Sequence, residues 1–67
     1  MMRFKYVKVK DVTGETFEYE NCEIARYFNE LHITYPVPLG TIKKVFNMKN
    51  IIFVDYLPYE KGAPANG

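Results

Sequence analysis

Thr41, Lys43, Lys44 and Asn47 are the residues best equipped for recognition chemistry in this chain. On an α-helix Lys43 and Asn47 are i, i+4 neighbours, Lys44 and Asn47 are i, i+3 neighbours, and Thr41 lies one turn before Lys44, so they share one polar edge. A DNA major groove admits a helix carrying this set. Lysines contact phosphates or guanine acceptors, asparagine reads adenine bidentately, and threonine touches a phosphate or a thymine methyl. Lys49 follows directly, and Lys8 and Lys10 add cations from the N-terminal block. A solvated helix face carries the same residue types, so the edge alone does not establish an interface.

The second group is aromatic. Tyr6, Tyr19, Tyr27, Tyr35, Tyr56 and Tyr59 can fill the margin of a core, stack on bases or anchor a protein partner. Tyr27, off the main apolar stripe, and Tyr35, in a proline-bounded connection, are the candidates for a partner surface. The acidic Glu18 and Glu20 join them in that alternative.

Catalytic constellations are nearly absent. The chain has no serine, and on one helix Cys22 and His32 stand roughly 15 Å apart at 1.5 Å per residue, too far for a dyad. One histidine and one cysteine fall short of a structural zinc set, and there is no calcium loop or phosphate-cradling glycine loop. The sequence predicts no enzyme, no cofactor and no metal.

Sixty-seven residues make room for one core, and six tyrosines with five phenylalanines supply large buried areas from few side chains. A lone cysteine points to a reducing compartment. No signal-peptide pattern marks the N-terminus, and the run Ile51 to Val54 is far below the roughly 20 residues of a membrane span, so a soluble, cytoplasmic protein is expected. The net charge is only +1. Its distribution is uneven: residues 1 to 10 and 41 to 50 carry only cations, whereas residues 11 to 30 carry six acids against Arg26 alone. Such blocks make one acidic and one basic region if the fold keeps them apart.

The elements that would position these residues follow from periodicity. Phe4 to Val12 and Glu15 to Glu20 alternate as strands around Asp11 to Gly14, which supplies turn chemistry, and so predict a β-hairpin. Asn21 is a good helix N-cap, and Ile24, Phe28 and Leu31 recur at i, i+4 and i+7, which predicts a helix over 22 to 31. Pro36 and Pro38 stiffen the connection. Leu39, Ile42 and Phe46 then recur at i, i+3 and i+7, which predicts a second helix over about 38 to 47 with Pro38 in its first turn. Ile51 to Leu57, apolar on both faces, suits a strand inside a sheet or at a subunit contact, and Pro58 closes it. Residues 1 to 59 thus form one α+β domain in the order β-β-α-α-β, with a flexible tail over 60 to 67.

Read in order, "VKDVTGETFEYENCEIARYFN" and "LGTIKKVFNMKN" resemble the small helix-turn-helix-like DNA-binding modules of phage and intron homing endonucleases, the intron-encoded nuclease repeat type. Gly14, Phe17, Asn21, Glu23, Ile24, Ala25, Phe28, Thr41, Ile42 and Val45 fall in corresponding places over about residues 7 to 53. The connection from Phe28 to Thr41 is longer than in those modules, and no nuclease domain is attached. The resemblance therefore implies a non-catalytic, phage-like DNA-binding protein whose second helix reads DNA, as a homodimer or with a partner. The alternative is a small inhibitor or adaptor that binds a host protein through the tyrosines and the acidic block.

Overall fold

The computed structural model describes residues 2 to 59, and these form five antiparallel strands: β1 (Met2–Asp11), β2 (Thr16–Arg26), β3 (Glu30–Val37), β4 (Gly40–Asn47) and β5 (Ile51–Leu57). A single 3₁₀ turn, Met48–Asn50, joins β4 to β5. The strand order is β4-β3-β2-β1-β5. Among the described residues there is no α-helix, so the domain is all-β and the expected α+β, helix-turn-helix-like architecture is corrected. The tail expected over 60 to 67 lies outside the described residues. Among the described residues no helix is long and apolar enough to cross a membrane.

The β1–β2 hairpin forms where the sequence placed it. Its turn is organised by Asp11, whose carboxylate accepts from the Thr13 hydroxyl at 2.5 Å and from the backbone N–H groups of Thr13 and Glu15 at 3.0 and 3.1 Å. Gly14 sits at φ 90°, a conformation only glycine adopts without cost.

Both helices are replaced by strand, for separate reasons. Residues 22 to 26 continue β2, and the chain then reverses at Tyr27, which exchanges backbone hydrogen bonds with Glu30 across Phe28 and Asn29. The three residues read as one helical stripe are thus divided: Ile24 and Leu31 face each other's strands in the core, while Phe28 is 96% exposed at the hairpin tip. Asn21 caps nothing. It takes φ 52° inside β2, which asparagine tolerates better than most residues.

Residues 40 to 47 are extended as β4 and pair with β3 from Glu30↔Asn47 to Val37↔Gly40. Pro38 and Leu39 are the tip of that hairpin, with Pro38 fixing φ where a helix start was expected. The β-branched and aromatic run Ile33, Thr34, Tyr35 settles into β3, and pairing with β2 stops at Thr34, two residues before Pro36, which has no N–H to donate.

A flat sheet of this size cannot exclude water from one face without a second layer. Yet Val7, Val9, Cys22, Leu31 and Ile33 are fully buried and Ile24 nearly so. The sheet bends over itself instead. Along β1 the inward residues are Phe4, then Val7 and Val9; along β2 they are Phe17 and Tyr19, then Cys22 and Ile24. Each series slips by one residue at Lys5 and Asn21, the one opposed position at which the β1–β2 ladder is interrupted. Both strands turn a corner there, as strands do where they pass from one wall of a β-structure to another. The short link Met48–Asn50 then joins strands at opposite ends of the sheet order, with Met48 and Ile51 packed on the core.

Two outcomes follow. Ile33→Ala should lower the urea-unfolding free energy by about 2 to 5 kcal/mol, whereas Phe28→Ala should change it by less than about 0.5 kcal/mol; a helix over 22 to 31 would make Phe28 the costly site. The hydrogen bond from the Thr13 side chain, followed by those from the Glu15 and Thr13 backbones, holds the Asp11 carboxyl below its ordinary value. Its stabilising contribution is therefore present above pH 3.8 and is lost as pH falls below that value toward the folded-state pKa. Asp11→Asn should flatten that acid limb in chemical denaturation measured across pH.

Candidate binding groove at the open end of the sheet

Strand geometry separates the residues that a helix would have gathered. Side chains alternate across a strand, so Thr41, Lys43 and Asn47 share one face of β4 and Lys44 takes the other. Lys44 stands in register with the buried Ile33, and its ammonium lies 5.8 Å from the Phe17 ring centroid and 5.9 Å from that of Phe46. Asn47 is already engaged: its side-chain oxygen accepts from the Lys49 backbone N–H at 2.9 Å and caps the 3₁₀ turn. Lys8 and Lys10 are on β1, three places from β4 in the sheet order.

The hairpin also lays the acidic block beside the basic one. Arg3 and Glu23 pair at 2.9 Å, and Lys8 is flanked in register by Glu18 on β2 and Asp55 on β5. Glu20 stands opposite Tyr6. Partial burial, then the charges of Glu18, Asp55 and Glu20, push the Tyr6 phenol above its ordinary pKa. The charge blocks seen along the chain are thus interleaved across this face.

The aromatic residues form two groups. Tyr35 packs against Tyr19 at 4.8 Å between ring centroids, and Phe17 meets Phe46 edge-on at 5.4 Å, which closes one end of the core beneath Lys44. At the other end Phe4 meets Tyr56 at 4.8 Å. Tyr27 lies at that same end, packed on the His32 ring at 4.5 Å, while His32 Nε2 is 2.8 Å from Glu30 Oε1.

This second end is open. Met2, Phe4, Ile24 and Arg26 occupy inward positions beyond the corner, but β5 ends at Leu57, opposite Tyr6, so Met2 and Arg26 are exposed, Phe4 is half-buried and Ile24 alone of the four is buried. The result is a groove of about 570 Å³. It is lined by Met2, Phe4, Ile24, Ala25, Arg26, Tyr27 and Tyr56, of which Ile24 is buried and Met2, Arg26, Tyr27 and Tyr56 are exposed. Arg26 is exposed and has no ion-pair partner among the described residues, so a mostly apolar cavity carries one free guanidinium.

Of the partner-surface candidates read from sequence, Tyr27 lies on this groove, and Tyr56, from the wider tyrosine set, lines it too. The other lining residues were legible only as core or as strand ends; the available signal was an arginine at an inward position of an alternating strand. No group of three His, Cys, Asp or Glu side chains converges among the described residues. Cys22 is buried on the inner face, where desolvation raises its thiol pKa, and His32 projects from the opposite face. The chain matches no protein-family model, no curated protein and no solved structure.

Burial, with smaller contributions from Tyr35 and Cys22, pushes the Tyr19 phenol up to about 12. Because the folded-state value is raised above the ordinary 10, the neutral phenol's contribution to stability is intact below pH 10 and is lost as pH rises toward 12. In an ultraviolet phenolate titration Tyr19 should ionise after the exposed tyrosines, and Tyr19→Phe should remove this late step. A single transition near pH 10 for all tyrosines would contradict the packing described.

Proposed function

We propose that this chain is a non-catalytic protein-docking module, whose groove takes an apolar side chain of a partner segment while Arg26 receives an adjacent carboxylate. The observation that carries this reading is a concave apolar surface lined also by one guanidinium that is without an ion-pair partner among the described residues. Sites of this kind combine an anchor pocket with a few polar groups that set orientation. Arginine suits the polar role because its planar fork meets a carboxylate with two parallel hydrogen bonds.

A DNA-reading role depended on four side chains sharing one helix edge. As a strand, the segment sends Lys44 to the face opposite Lys43, and Lys8 stands between two carboxylates. A net charge of +1 adds no general attraction to a polyanion. The adaptor reading needs neither. It differs from the expected tyrosine-and-acid surface: Tyr27 lies at the groove, but Tyr35 packs on Tyr19 at the other end, and Glu18 and Glu20 belong to the outer face beside Lys8 and Tyr6.

The test is selection of short peptides from a random library on the folded protein, followed by titration of the winners. The selected peptides should pair an aromatic or branched aliphatic residue with Asp or Glu, and should perturb the Met2, Ile24 and Arg26 amide resonances. Met2→Asp and Arg26→Glu should each weaken binding roughly tenfold or more, about 1.4 kcal/mol. Enrichment of basic peptides, binding that ignores both substitutions, or salt-dependent binding of duplex DNA in their place would overturn the proposal.

A further inference from the structure

We infer that two copies of this chain associate through β5, pairing antiparallel edge to edge about a two-fold axis at Val54. Three independent features of β5 lead there. Its sequence is apolar on both faces apart from Asp55, the pattern of a strand whose surroundings are covered, yet it pairs with β1 alone and ends the sheet. Its exposed residues are correspondingly large and apolar: Ile52, Phe53, Tyr56 and Leu57.

The second feature is the absence of edge protection. Natural sheets guard an edge with lysines, prolines or inward charges, because an unpaired row of N–H and C=O groups templates further strands. The opposite edge, β4, carries Lys43 and Lys44. β5 has no lysine and no proline between Ile51 and Leu57, and its one irregularity is the register shift near its start, opposite Lys10 and Asp11.

The third feature is self-complementarity, which favours a second copy over an unrelated strand. β5 has seven residues, and a two-fold axis at its midpoint, Val54, overlaps the whole strand with itself. Val54 then faces the partner subunit's Val54, and Ile52 faces the partner subunit's Tyr56. The only charge in the strand, Asp55, faces the partner subunit's Phe53 and not another carboxylate. Centring on Asp55 would oppose two carboxylates, and a one-residue slip would turn the inner face of one copy to the outer face of the other.

Sedimentation equilibrium at rising, sub-millimolar concentration should show the weight-average mass climbing from one chain to two. Ile52→Lys should remain monomeric with an unchanged far-ultraviolet circular dichroism spectrum. The register is read by cysteine cross-linking under diamide: Val54→Cys should give a covalent dimer, because directly opposed strand positions lie within disulfide reach. Ile52→Cys should not, since two copies of that position stand roughly 13 Å apart, four residues along the strand. The native Cys22 is fully buried and serves as the silent background. A wild-type chain that stays monomeric throughout, a dimeric Ile52→Lys variant, or cross-linking of Ile52→Cys as readily as Val54→Cys would overturn the inference. Met2→Asp and Arg26→Glu lie off β5 and should leave the dimer unchanged, so failure of the groove reading and failure of this one are told apart.

Discussion

The corner at Lys5 and Asn21 is the constraint on which the remaining structure depends. A chain of this length with no disulfide and no second layer must make one sheet bury its own face. It does so by letting β1 and β2 change the parity of their inward residues together, so that Phe4 and Cys22 stay opposite each other while Val7 opposes Tyr19. Asn21 absorbs the change by accepting a left-handed backbone. Its side-chain oxygen also accepts a hydrogen bond from the Tyr59 hydroxyl, which ties Tyr59 back to the bend. Without this coordinated slip the six residues of the core would be split between two faces and neither would be dry.

The same corner creates the groove. Past it, the inward positions of β1 and β2 continue for a few residues, but β5 does not follow them, because Pro58 ends its pairing at the level of Tyr6. Phe4 and Met2 are therefore core positions by parity and groove positions by coverage, with the buried Ile24 beneath them. Arg26, next in that inward series, occupies a place where an apolar residue would extend the core, and instead puts a charge at the mouth. At the far end the situation is reversed: Phe17, Tyr19, Tyr35 and Phe46 pack together where the β2–β3 ladder stops.

What could be read from the sequence was the pairing of near neighbours with unambiguous turn chemistry. Asp11 to Gly14 specified the first hairpin, and the density of β-formers in Ile51 to Leu57 specified β5. The middle of the chain was misread because strand–turn–strand geometry happened to mimic helical spacing. Ile24 and Leu31 are seven apart because three turn residues, Tyr27 to Asn29, separate the ends of β2 and β3, and Phe28 fell between them at a helical interval although it points to solvent. Asn21 and Pro38 carry chemistry shared by caps and by bends, so neither could arbitrate. The outweighing signal was present in Ile33, Thr34, Tyr35 and Val37, whose branched and aromatic side chains favour extended backbone over helix. The groove was less legible still, since it arises from where β5 stops and not from any local motif.

Lys44 shows why the two edges of this sheet are not equivalent. An ammonium on the inward face of an edge strand would be costly in a sealed core, but here it rests over the Phe17 and Phe46 rings, whose faces are electron-rich, at the margin where it stays hydrated. An incoming strand on β4 would have to cover that charge as well as Lys43 on the other face. Docking there therefore carries a desolvation cost on both faces, whereas β5 presents only Asp55, already beside Lys8 of its own sheet. The asymmetry directs strand addition to one edge, and it leaves β4 as the side on which the sheet ends.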